Sequence, residues 1–143
     1  MIISTKFKSA IGRVVNNLTD KKTIINNTQI IGLDYSESGL REDINKQLES
    51  LQYDKNQSSI ILMHDPKNTA FLSSQGVSLV LSGHTHDGQF FPFTTLLSSL
   101  YKKYVYGVSY TGNTVSLTSS GIGTAVVPIR IGTNPEIVVL NIN

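Results

Sequence analysis

Residues 58–89 read SSIILMHDPKNTAFLSSQGVSLVLSGHTHDGQ. Two short apolar runs, Ser58 to Met63 and Gly76 to Leu81, are too brief for helices and rich in branched aliphatics, so both predict strands. Between them Pro66 to Ser73 predicts a short helix, with proline at an early position where its missing N–H costs nothing. Strand, helix, strand in this order predicts a parallel pair with a crossover helix. Runs apolar at consecutive positions predict a sheet covered on both faces.

Upstream, Lys22 to Ile25 and Gln29 to Leu33 predict a hairpin around Asn26-Asn27, and Val14-Val15 begins an extended stretch. Ser38 to Leu51 predicts a helix: Ser38 suits the N-cap, Glu42 and Asp43 favour the positive end of the dipole, and Leu40, Ile44, Leu48 and Leu51 form one stripe. Downstream, Lys103 to Tyr110 and Thr114 to Thr118 predict a second hairpin, and Glu136 to Ile142 a closing strand. The expected class is α/β with an antiparallel end.

Composition narrows the chemistry. The chain has 143 residues, no cysteine and a formal net charge of +2. Disulfides, thiolate nucleophiles and cysteine zinc sites are excluded, and no nucleic-acid partner is expected from so mild a charge. No apolar run reaches membrane-span length, and the N-terminus lacks a signal-peptide core, so the chain as given reads as soluble. It has three histidines, His64, His84 and His86, and all follow directly on the two apolar runs. Carboxyl ends of parallel strands are where open α/β sheets bind ligands. Taken alone, a His-x-His is more often incidental than metal-binding, and a lone His64 is more often a satisfied loop or core histidine than a ligand. Together they predict a shared metal crevice, with His84 and His86 splayed from a glycine-flanked turn toward two points.

Leu62-Met63-His64-Asp65-Pro66 and Ser82-Gly83-His84-Thr85-His86 resemble the last two metal-binding motifs of calcineurin-like metallophosphoesterases, in particular the bacterial branch that includes the YkuE and YaeI types. The segments Ser119 to Thr124, Pro128-Ile129-Arg130 and Asn134 to Ile137 are similar to that branch's C-terminal part. The resemblance implies a four-layer α-β-β-α sandwich and hydrolysis of phosphomonoester, phosphodiester or pyrophosphate bonds at a dinuclear metal site. It implies that His64 and His84 ligate one ion and His86 the other, with ions of the Mn, Fe, Zn or Ni class. Lipid-linked phosphates and nucleotide sugars are the implied substrates.

The family's first three motifs are absent, since no histidine precedes His64. Residues 1–143 are therefore expected to be the C-terminal part of such a domain. No catalytic residue is assigned in this chain, and at most one ion is expected on it alone, because no bridging carboxylate offsets repulsion between two. Turnover by the isolated chain is not expected. An exposed sheet edge would favour self-association. Location is open: the chain as given reads as soluble, and cytoplasmic, membrane-associated and exported all stand if an N-terminal segment is missing. Two alternatives stand beside the enzyme reading: a non-catalytic remnant or partner-dependent subunit binding one metal or none, and a binding module in which the histidines lie far apart. Asp87 is expected to be solvated. Phe90 to Leu97 is expected either to pack under the C-terminal hairpin or to line the rim of the site.

Overall fold

Asn26 and Asn27 both adopt positive φ, 47° and 61°. Two successive left-handed residues give the tight turn whose twist suits paired strands. The turn joins β1 (Lys21–Ile25) to β2 (Thr28–Gly32), antiparallel from Lys21↔Gly32 to Ile25↔Thr28. The structure is a computed structural model and describes residues 18–34, 41–125 and 127–141. Val14-Val15, Ser38 and Leu40 lie outside them. The expected central helix is present as α1 (Arg41–Ser50), with Ile44 and Leu48 buried.

β3 (Ser59–Leu62) and β4 (Leu79–Ser82) are the two apolar runs. A 3-10 turn over Pro66–Asn68 and the short helix α2 (Thr69–Ser74) join them. Asp65 starts this connection: its carboxylate accepts the Lys67 amide at 3.0 Å, and Pro66 stands in the first turn. β2, β3 and β4 are mutually parallel. β4 also pairs in parallel with β6 (Thr114–Thr118), which forms a hairpin with β5 (Gly107–Thr111). The strand order is β1-β2-β3-β4-β6-β5. The fold is thus mixed α/β, with antiparallel pairs at both ends of a parallel centre.

Three expectations change. β5 begins at Gly107 rather than Lys103, because Lys102–Tyr104 form a 3-10 turn. Residues 93–101 form a helix, α3 (Phe93–Tyr101), which the Ser/Thr-rich sequence did not suggest. Its exposed Phe93, Leu96 and Leu100 do not pack under the hairpin. The closing strand over 136–142 is absent among the described residues. The Glu136 carboxylate instead accepts the Ser120 amide and the Tyr106 hydroxyl, both at 2.9 Å, which ties the segment to a loop rather than to the sheet edge.

The two faces of the sheet differ. On one, Ile31, Ile61 and Val80 are adjacent in register and almost fully buried, and Leu33, Ile44, Leu48, Leu72 and Val77 complete the core. The other face carries Ile30, Ile60, Leu79 and Val115 in one row and Leu62, Leu81 and Leu117 in the next. These are only half-buried, and Val108 and Tyr110 continue the face onto β5 at 56% and 68% exposure. The described residues build one sheet. The second sheet of the expected four-layer sandwich is not among them.

Candidate metal centre

His64 stands two residues beyond β3, and His84 two beyond β4. Because β3 and β4 are adjacent and parallel, both imidazoles emerge at the same end of the sheet. A bond from the Gly83 amide to the His64 carbonyl, 3.0 Å, laces the two strand ends together. His64 Nε2 and His84 Nδ1 lie 2.9 Å apart, with ring centroids at 4.7 Å and planes near perpendicular. The reading that places these histidines far apart is thereby excluded for this pair.

Neighbouring groups shape the pair. Asp65 Oδ2 lies 3.9 Å from His84 Nε2, on the side of the ring away from His64. A carboxylate on the far nitrogen is the usual device for orienting a ligating histidine. Tyr101, buried at the end of α3, places its ring 6.2 Å from that of His84, and Lys67 Nζ lies 5.7 Å from the Tyr101 ring centre. Burial, and then the neighbouring His84, lower the pKa of His64, while Asp65 opposes the shift. A neutral imidazole keeps a lone pair for a metal.

His86 turns elsewhere. Its Nδ1 faces Arg130 Nη2 at 3.2 Å. Burial first, and the Arg130 charge second, lower its pKa. Arg130 also donates to the carbonyls of Ser120 (2.7 Å), Gly121 (3.2 Å) and Gly123. Asp87 is half-buried rather than solvated: burial raises its pKa, Glu136 adds to the rise and Arg130 opposes it.

The loop carrying these side chains is strained. His84 (69°), His86 (50°), Asp87 (52°) and Gln89 (56°) all have positive φ without being glycine. The two flanking glycines differ in purpose. Gly88 has φ +77°, and a Cβ there would lie 2.3 Å from Thr94 Cα, whereas a Cβ at Gly83 would meet only Ser119 O at 4.0 Å. Gln89 locks the far end, donating to the carbonyls of Ala125 (3.0 Å) and Val127 (2.9 Å).

The donor set fits one ion in part. On one tetrahedral zinc, with Zn–N of about 2.0–2.1 Å, two imidazole nitrogens would lie about 3.3 Å apart. The His64–His84 pair, at 2.9 Å, is a few tenths of an ångström closer than that, at hydrogen-bond distance. Among the described residues, no group of three His, Asp or Glu side chains is placed to hold an ion. Tyr101 and Arg130 are the neighbours that sequence reasoning missed. Arg130 lay in a segment whose similarity was visible but whose role was not, and Tyr101 was marked only by its helical spacing from Phe93 and Leu97.

Comparison with known proteins agrees with the motifs. The chain is 40% identical over 102 residues to an uncharacterized metallophosphoesterase of Helicobacter pylori, covering 70% of this chain and 27% of that protein. It is 41% identical over 85 residues to the uncharacterized metallophosphoesterase Cj0846 of Campylobacter jejuni, covering 59% and 22%. It is 37% identical over 87 residues to the uncharacterized metallophosphoesterase YkuE of Bacillus subtilis, covering 59% and 30%. These relatives define a class, that of metallophosphoesterases. The chain belongs to the calcineurin-like metallophosphoesterase family. It spans about a quarter of the length of the relatives named here (27%, 22% and 30%). No family model matches the chain, and no solved structure does. Among the described residues, no helix is long and apolar enough to cross a membrane.

Proposed function

We propose that the chain is the C-terminal half of a metal-dependent phosphoesterase domain, inactive alone. The observation that carries this reading is the 2.9 Å approach of His64 Nε2 and His84 Nδ1 at the ends of two parallel strands. His64 and His84 hold one divalent ion, of the Mn, Fe, Zn or Ni class, and His86 is the ligand toward a second. When bound, such ions supply Lewis acidity toward phosphoryl oxygens. The chain's own groups set the surroundings. Asp65 orients His84, Tyr101 walls the ring from one side, and Lys67 adds positive charge beside an anionic substrate. The substrate is a phosphomonoester, phosphodiester or pyrophosphate, lipid-linked or a nucleotide sugar.

The apolar second face of the sheet supports the half-domain reading. A face bearing Ile60, Leu79, Leu81 and Leu117 is suited to packing against another sheet, as in a four-layer sandwich. A non-catalytic, partner-dependent subunit is the second reading, favoured by the lack of a three-ligand cluster among the described residues. The test is hydrolysis of bis-p-nitrophenyl phosphate by the purified chain with Mn²⁺ or Zn²⁺. No turnover is expected. Robust metal-dependent turnover, abolished by His84→Ala, would contradict the half-domain reading.

A further inference from the structure

α3 carries more apolar surface than its seat covers. Tyr101 is buried beside His84, and Leu97 is half-buried. Phe93, Leu96 and Leu100 follow one another at helical spacing and form an outer ridge, with Leu96 61% and Leu100 60% exposed. The ridge is held in place. The Phe93 ring meets Phe90 edge-on at 5.0 Å between centroids, and Thr94 fills the space where a Gly88 Cβ would stand.

Charge indicates what covers the ridge. Lys102 and Lys103 are exposed directly after α3, and Lys103 also donates to the Tyr110 carbonyl. Between Asp87 and Glu136 the chain has no acidic residue. A second copy docked ridge to ridge would set lysines against lysines, with no carboxylate from this stretch to offset them. A second sheet would take the half-open face of Leu62, Leu81 and Leu117. α3 is tied instead to the other side: Lys67 lies 5.7 Å from the Tyr101 ring centre and opens the crossover whose Leu72 packs in the core. Bulky apolar side chains flanked by ammonium groups match an anionic lipid surface, where the former enter the acyl boundary and the latter meet phosphate headgroups.

We propose that α3 is a lipid-docking helix: Phe93, Leu96 and Leu100 insert into the surface of an anionic phospholipid bilayer, and Lys102 and Lys103 pair with its headgroups. Nine residues are too few to span a bilayer, so the helix lies in the plane of the surface. Docking itself does not depend on a metal. One consequence does rest on the metal-centre reading: because Tyr101 joins α3 to His84, docking brings the histidine pair close to the surface that would hold a lipid-linked phosphate.

The test is flotation of the 143-residue chain with vesicles of phosphatidylcholine alone and of phosphatidylcholine with about a third phosphatidylglycerol. The chain should float with the mixed vesicles and bind phosphatidylcholine alone more weakly, by about fivefold or more. Lys102→Gln should weaken binding to mixed vesicles about fivefold. Leu96→Asp with Leu100→Asp should weaken it about tenfold or more. Leu96→Trp supplies the chain's one tryptophan on the ridge, and its emission should shift to the blue with mixed vesicles and be quenched by brominated acyl chains. This reporter decides the matter even if the aspartate variant folds poorly. Binding that survives the two aspartates, or emission that stays unshifted, overturns insertion. Equal binding to both vesicle types overturns the role given to the lysines. A chain that ignores vesicles, and that the two aspartates turn from dimer to monomer in light scattering, has a second copy on the ridge, which also overturns the proposal. Vesicle binding by a chain that takes up no Zn²⁺ would sink the metal-centre reading alone, so the two fail separately.

Discussion

Positive φ at His84, His86, Asp87 and Gln89 concentrates strain in six residues, and the loop keeps that shape because both ends are held. Gly88 is central to it. Gly88→Ala should cost about 2–3 kcal/mol, since a Cβ would collide with Thr94 backbone at a positive φ; urea unfolding measures it, and an unchanged midpoint would contradict the loop geometry. Protonation gives a second prediction at this scale. His64 and His86 both have folded-state pKa values below the ordinary 6.5. Below pH 6.5 the unfolded chain takes up protons that the folded chain refuses. Their contribution is thus complete above pH 6.5 and is lost as pH falls through the lowered values. Unfolding midpoints at pH 7.5 and 5.5 should differ, and the difference should shrink in His86→Gln. The histidines themselves were legible because strand ends and motif spacing marked them. The Arg130 contact was not, since it joins residues 44 positions apart through a segment without regular structure.

β3 and β4 position the pair, so the core beneath them sets the accuracy of the site. Ile61 is fully buried between Ile31 and Val80 in register. Ile61→Ala should cost about 2–5 kcal/mol, read from the denaturation midpoint; a loss under about 1 kcal/mol would contradict this packing. At this scale the sequence was informative where pattern and turn chemistry agreed. The Asn26-Asn27 hairpin, the strand–helix–strand unit and the Thr114–Thr118 strand all formed near their expected bounds. It misled where a polar side chain settled the outcome. Residues 136–140 carry a strand-like apolar run, but Glu136 is committed to Ser120 and Tyr106. Burial opposes ionisation of that carboxylate, yet hydrogen bonds from Ser120 and Tyr106 outweigh it and lower its pKa. The signal for α3 was the helical spacing of Phe93, Leu96, Leu97, Leu100 and Tyr101, although Phe93, Leu96 and Leu100 face outward.

For the whole molecule, the sheet has one packed face and one apolar, half-open face. Exposed Val108 and Tyr110 lie on the edge strand β5, where another sheet or a second copy can pair. The chain should therefore self-associate at micromolar concentration, and Val108→Lys with Tyr110→Lys should shift it toward monomer in light scattering; an unaltered monomer in both would contradict this. Whether His64 and His84 form a metal site is read by equilibrium dialysis of the 143-residue chain against Zn²⁺. One bound ion per chain is expected, lost in His84→Ala and retained in Asp87→Asn. Binding that is absent from the wild type, or unchanged in His84→Ala, would contradict it.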